Sequence, residues 1–147
     1  VKLSRTGTEP PGPSTLGEAA ASFLGCRFRL HGRDPATGLD CVGLVCASLA
    51  AIGRQPVAPA GYGLRNLSID HWLAFADLSG LEPASGPAAS DEVLLINLGY
   101  GQHHLLISLG HDEVVHAHAG LGRVVRHRRE TTCRIHARWR LRPAKRG

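Results

Sequence analysis

The chain has 147 residues, of which 43% are hydrophobic and 20% charged, and carries a formal net charge of +5 with a pI near 9.5. That length suits one domain with its own core, and the composition excludes a fibre, a disordered tail and a chain built of membrane spans. The four cysteines, Cys26, Cys41, Cys46 and Cys133, form neither a Cys-x-x-Cys pair nor a dense disulfide framework, so reduced thiols are expected.

In chain order, residues 1–15 read as an extended Pro/Gly-rich arm ahead of a single domain over 16–147. The arm lacks the apolar core and small-residue cleavage site of a signal peptide, so synthesis in the cytoplasm without a general export signal is expected. Thr15-Leu16-Gly17-Glu18 has the capping-box pattern and opens a short Ala-rich helix to Leu24. Gly25, Gly32, Pro35 and Gly38 then predict a loop that delivers the chain to Asp40. A second helix is expected over 41–52, with Leu44, Val45, Leu49 and Ile52 as one apolar stripe and Gly53 as its stop. Ser68 or Asp70 can cap a third helix through Trp72, Phe75 and Leu78, and residues 82–90 read as a connector.

From residue 92 the periodicity changes to that of strands: Glu92–Leu98, His104–Leu109, Glu113–Ala117, Arg123–His127 and Cys133–Leu141. In the last, Cys133, Ile135, Ala137, Trp139 and Leu141 alternate with Arg134, His136, Arg138, Arg140 and Arg142. Helices followed by about five strands predict an α+β fold with an antiparallel meander. The positive charge is concentrated in this final third. It reads as a solvated basic face, and the lack of interleaved aromatics argues against nucleic acid as a partner.

Asp40, as the N-cap of the second helix, would place Cys41 in the first turn, where unpaired amides and the helix dipole favour a thiolate. His104 opens an apolar strand and His116 ends the next one after the turn Gly110-His111-Asp112, so a hairpin would bring the two imidazoles together. In that reading His116 accepts from Nδ1 of His104, and Nε2 faces the thiol. A rival reading gathers His103, His104, His116 and His118 into a metal site.

The segments Gly25-Cys26-Arg27-Phe28 and Gly38-Leu39-Asp40-Cys41-Val42-Gly43-Leu44-Val45, together with His104 through Gly110 and Val115-His116-Ala117, resemble the motifs of NlpC-type cell-wall cysteine peptidases over about residues 16–142. The lead-in Arg33-Asp34-Pro35-Ala36-Thr37-Gly38 is similar to the branch encoded in tailed-phage and gene-transfer-agent tail clusters. The resemblance implies a papain-like α+β fold and hydrolysis of peptidoglycan stem peptides, often between D-γ-glutamyl and meso-diaminopimelate residues. It implies Cys41 as nucleophile, His104 as base and then acid, and His116 as the orienting residue. Asp40, Phe28 and Val42 would be substrate-binding or supporting residues. No cofactor is implied. The partners would be wall peptides and tail or baseplate proteins, without membrane insertion, and the enzyme would ride on a particle and act in the periplasm or on the wall. Phe28 stands where the family usually has Tyr, and Leu106 where it usually has Gly. A weakly active wall-binding module of a tail tip is the reading from a different class.

Overall fold

A computed structural model describes residues 12–58, 69–97, 103–129 and 134–143, so most of the expected N-terminal arm, together with Ser68 and Cys133, lies outside the described residues. Helix α1, Leu16–Ala21, starts as its capping pattern predicts: Thr15 Oγ1 accepts from the Glu18 amide at 3.1 Å. The Glu18 carboxylate reaches back one residue further than expected, to the amide and hydroxyl of Ser14 at 3.0 and 3.1 Å. The helix stops three residues short of Leu24 because Phe23 and Leu24 bond three residues back, and Gly25 then turns left-handed at φ 88°.

The expected loop contains a small hairpin, strands β1 (Arg33–Asp34) and β2 (Gly38–Leu39). Its turn is held by Asp34, whose Oδ1 accepts from the Ala36 amide at 2.9 Å. Helix α2, Cys41–Ala51, is buried around more of its circumference than the single predicted stripe, with Val42, Gly43, Leu44, Val45, Cys46, Ser48 and Leu49 all inside. The reason is that it is packed by α1, by the hairpin and by the sheet together. Gly43 is needed for this: a Cβ there would lie 1.9 Å from the carbonyl oxygen of Gly32. Gly43→Ala must push helix and hairpin apart and is expected to lose about 3 kcal/mol or more, measurable by urea unfolding.

Helix α3, Ile69–Leu78, buries Trp72, Phe75 and Ala76 and leaves Leu73 and Leu78 exposed. Strands β3 (Leu81–Pro83), β4 (Val93–Asn97), β5 (His103–Gly110), β6 (Glu113–His118), β7 (Arg123–Arg128) and β8 (Ile135–Leu141) form one antiparallel sheet in the order β3-β8-β4-β5-β6-β7. The five expected strands are present, and the α+β class holds. The additional strand, β3, lies in part of the predicted connector, where Pro83 fits because the strand is at the sheet edge. The order is not a simple meander, because β8 inserts between β3 and β4.

Val93, Leu95, Leu105, Ile107, Val115, Ala117 and Val124 join the main core with the helices. Leu94, Ile96, Leu106 and Val114 form a second cluster, as the two-residue strand period requires. A bulge where Leu95 pairs with Ala137 but Ile96 with Ile135 changes the phase of β8. Ile135 therefore packs with the second cluster rather than sharing a face with Trp139.

Many late arginines are in ion pairs, among them Arg140–Glu82 at 2.7 Å, Arg142–Asp77 at 2.9 Å, Arg126–Glu113 at 3.2 Å and Arg138–Glu92 at 3.3 Å. The exposed pairs among these contribute about 0–1 kcal/mol each, whereas Glu92 is buried beside Arg138; all of them reduce the positive field that the composition implies. Among the described residues no helix is long and apolar enough to cross a membrane.

Candidate active site

Asp40 is almost completely buried, at 1% exposure, and its carboxylate is saturated. Oδ1 accepts from the Gly43 amide at 2.7 Å and from Arg33 Nη1 at 3.0 Å, and Oδ2 accepts from the His31 amide at 2.8 Å. The predicted N-cap is thus also the post to which the hairpin is tied. Cys41, the first residue of α2, remains partly exposed. The amides of Leu105, Val42 and Cys41 itself lie near its sulfur and favour its ionised form. Leu105 is the residue after His104, so α2 delivers the thiol to the beginning of β5.

His104 Nε2 lies 2.7 Å from His116 Nδ1, with the rings edge to face and their centroids 4.9 Å apart. The predicted hairpin makes this pair. Gly110, His111 and Asp112 all have positive φ, at 92°, 52° and 63°, and the strands pair with Ile107 opposite Val115. The nitrogen is the reverse of the one expected, Nε2 rather than Nδ1 facing His116. Extending the register by one step places Leu106 opposite His116, so His104 is on the diagonal. Only the far nitrogen of its ring reaches across that longer span. His104 Nδ1 is left as the nitrogen not engaged by His116.

No protein-family model and no curated protein matches the sequence. Solved structures do. NlpC2 from Trichomonas vaginalis superposes with a TM-score of 0.63 at 14% identity, covering 90% of this chain and 49% of that one. The NlpC/p60 domain of the peptidoglycan hydrolase SagA gives 0.51 at 19% identity, covering 78% and 86%, and the peptidoglycan hydrolase RipB from Mycobacterium tuberculosis gives 0.57 at 20%, covering 88% and 64%. The fold is that of NlpC/P60 domains. The chain spans about half the length of the Trichomonas protein.

Within this NlpC/P60 fold the electrostatics of the thiol differ from the helix-end expectation. Burial pushes the Cys41 thiol up from 9.0 to about 12, and the nearby Asp40 carboxylate adds to the rise, while the three amides pull it down. A helix N-terminus moves a pKa by less than about one pH unit, and here its amides are shared with Asp40. Burial wins. Burial likewise pushes His104 down from 6.5 to about 4, with His118 and His127 adding to the drop and Asp40 opposing it. His116 falls to about 3 through burial and the neighbouring His104, His127 and His118. The site therefore rests as a neutral thiol beside neutral imidazoles, and charge separates only when the thiol proton moves.

These depressed histidines make stability depend on pH. Below about 6.5 the unfolded chain takes up protons that the folded site refuses, so stability is complete above that value and falls as pH drops toward about 4 and then 3. Thermal melts from pH 7.5 to 4.5 are expected to show a progressive fall in Tm. His116→Gln should make the fall shallower. An equal slope in both proteins would mean that the rings titrate freely in the fold.

Phe28 is clamped beside the nucleophile segment: the Leu39 amide donates to Arg27 O at 2.8 Å, Arg29 donates to Leu39 O at 3.1 Å, and Phe28 donates to Gly122 O at 2.8 Å. Its ring packs against the core. The Val42 side chain is fully buried in that core, so its part in the site is its amide. Cys46, which the helix period places away from Cys41, is buried, and burial pushes its thiol up to about 11. Among the described residues no group of three or more His, Cys, Asp or Glu is arranged to hold a metal ion. Of the histidines of the rival metal reading, His104 and His116 face each other, the His118 ring lies 5.3 Å from that of His116 while its Nδ1 accepts from the Leu121 amide at 3.0 Å, and the His103 ring is edge-on to His136.

One site residue was missed. His127 Nε2 approaches His116 Nε2 at 2.5 Å, and His127 Nδ1 lies 2.8 Å from the carbonyl oxygen of Arg128. His116 pairs with Val125 and Val114 with His127, so this contact too is diagonal across a hairpin. The sequence signal for it was a third histidine at the end of the next strand.

Proposed function

We propose that the chain is a cysteine peptidase acting on the stem peptides of bacterial peptidoglycan. The observation that carries the reading is the placement of the Cys41 thiol, at the first position of a buried helix, against the start of the strand whose His104 is braced by His116 at 2.7 Å. The NlpC/P60 fold and the names of SagA and RipB as peptidoglycan hydrolases support the substrate class.

In the first step the Cys41 proton passes to His104 Nδ1 as sulfur attacks the peptide carbonyl carbon. His116 holds the imidazolium through Nε2. The amides around the sulfur lie close to where negative charge develops. His104 then gives its proton to the departing amine, leaving a thioester. It next takes a proton from water, whose oxygen attacks the thioester, and gives that proton to the departing sulfur, releasing the carboxylate product and restoring the Cys41 thiol. The resting pair is neutral, so this is base catalysis on demand rather than attack by a standing thiolate.

The finer parts of the proposal are a D-γ-glutamyl to meso-diaminopimelate bond and a particle-borne setting with tail or baseplate partners. The latter rests on the likeness of Arg33 to Gly38 to tail-cluster sequences, a stretch that here forms the β1–β2 hairpin tied to Asp40. Digestion of purified peptidoglycan followed by mass spectrometry tests bond and class together. New amino and carboxyl termini at one stem-peptide position, absent with Cys41→Ala, are expected. Intact stem peptides with the native protein would overturn the hydrolase reading in favour of a wall-binding module.

A further inference from the structure

His104, His116 and His127 form a row of three imidazoles on three successive strands, β5, β6 and β7, with ring nitrogens facing at 2.7 and 2.5 Å. The row ends on a group of known polarity. A backbone carbonyl can only accept, so His127 Nδ1, 2.8 Å from Arg128 O, carries a hydrogen. When His127 carries a single ring hydrogen, that carbonyl holds it on Nδ1, which leaves Nε2 as an acceptor. His116 Nε2 must then donate to it, and His116 Nδ1 becomes an acceptor. By the same step His104 Nε2 donates to His116 Nδ1, and the lone pair of His104 lies on Nδ1.

We propose that His127 is a positioning residue whose bond to the Arg128 carbonyl sets the tautomer of His116 and, through it, of His104, so that the base presents a lone pair at Nδ1. Without that anchor a pair of neutral imidazoles has two equivalent polarities. In one of them His104 Nδ1 carries a hydrogen and cannot accept another. The carbonyl removes this degeneracy from the far end of the row, next to the edge of the sheet, without His127 touching the reacting atoms. The neutrality that the argument needs has a physical cause: burial and the mutual repulsion of the rings hold His104 and His116 uncharged. The consequence for catalysis rests on the peptidase reading above, but the tautomers themselves do not.

The test is 15N NMR of the imidazole nitrogens in the resting protein at neutral pH, with no substrate present. His127 is expected as the Nδ1–H tautomer and both His116 and His104 as Nε2–H. In His127→Leu, His116 and His104 are expected to become mixtures of tautomers. In His127→Gln, whose amide oxygen can accept from His116 Nε2, the single Nε2–H form should return. On peptidoglycan peptides His127→Leu should lower kcat about tenfold with KM little changed, the scale of one lost hydrogen bond, and His127→Gln should restore most of it. His127 is largely exposed on the edge strand, so both variants are expected to fold. A pure Nε2–H signal for His104 in His127→Leu, or an Nε2–H tautomer of His127 in the native protein, would overturn the proposal. The expected tautomers in a protein that cuts nothing would leave it standing and remove the peptidase reading instead.

Discussion

Cys41→Ala and His104→Ala are each expected to reduce hydrolysis of peptidoglycan peptides by on the order of 10⁴-fold or more, to the level of an uncatalysed blank. Each removes one end of a single proton transfer, and neither half does anything alone. His116→Ala should retain measurable activity, lower by about 10²-fold, because the base survives but its ring is no longer held. The effects should be strongly non-additive: His104→Ala/His116→Ala is expected to be no slower than His104→Ala. Fragment release followed by chromatography provides the comparison, with circular dichroism of each variant to show that the fold persists. Near-native turnover in Cys41→Ala would remove the thiol from the mechanism, and additive losses would show that the two histidines act independently.

Asp40→Ala is expected to be the most damaging change to stability near the site, costing about 3–5 kcal/mol in urea unfolding. One buried carboxylate there accepts two backbone amides and a guanidinium, from α2, from the loop and from β1. Truncation leaves the Gly43 amide unpaired in the interior and takes the acceptor from the part-buried His31 amide and Arg33 guanidinium. Against a typical total of about 5–15 kcal/mol, that is a large fraction. Asp40→Asn keeps an acceptor for the cap and should cost less. It should also lower the pH at which iodoacetamide alkylates Cys41, because the Asp40 charge is one of the causes holding that thiol up. If Asp40→Ala unfolds at native denaturant concentrations, the carboxylate is not the tie that its bonds describe. An unchanged alkylation profile in Asp40→Asn would mean that burial alone sets the reactivity.

The features legible in the residues were those governed by local chemistry. Thr15 and Asp40 cap helices because a short oxygen-bearing side chain satisfies an amide two or three residues on, and that requires no knowledge of the rest of the molecule. The His104–His116 pair was legible for a related reason: a short turn of residues that tolerate positive φ fixes which strand lies beside which. Short apolar runs in residues 93–97 and 103–110 announced strands, and the change from helical to strand grammar announced the α+β class.

What tertiary structure alone decided depends on contacts between segments far apart in the chain. Insertion of the last strand between β3 and β4 is a choice among sheet edges that local pattern does not rank. The nitrogen by which His104 meets His116, and the recruitment of His127, follow from a diagonal offset in strand register. Such an offset moves a ring by several ångströms without altering the alternation of apolar residues that marks the strands. The ionisation of Cys41 went the same way. Position at a helix start is a local property and favours a thiolate, whereas desolvation is the sum of everything packed around the sulfur. Here β5 and the Asp40 knot crowd the sulfur so closely that desolvation outweighs the pull of the helix end.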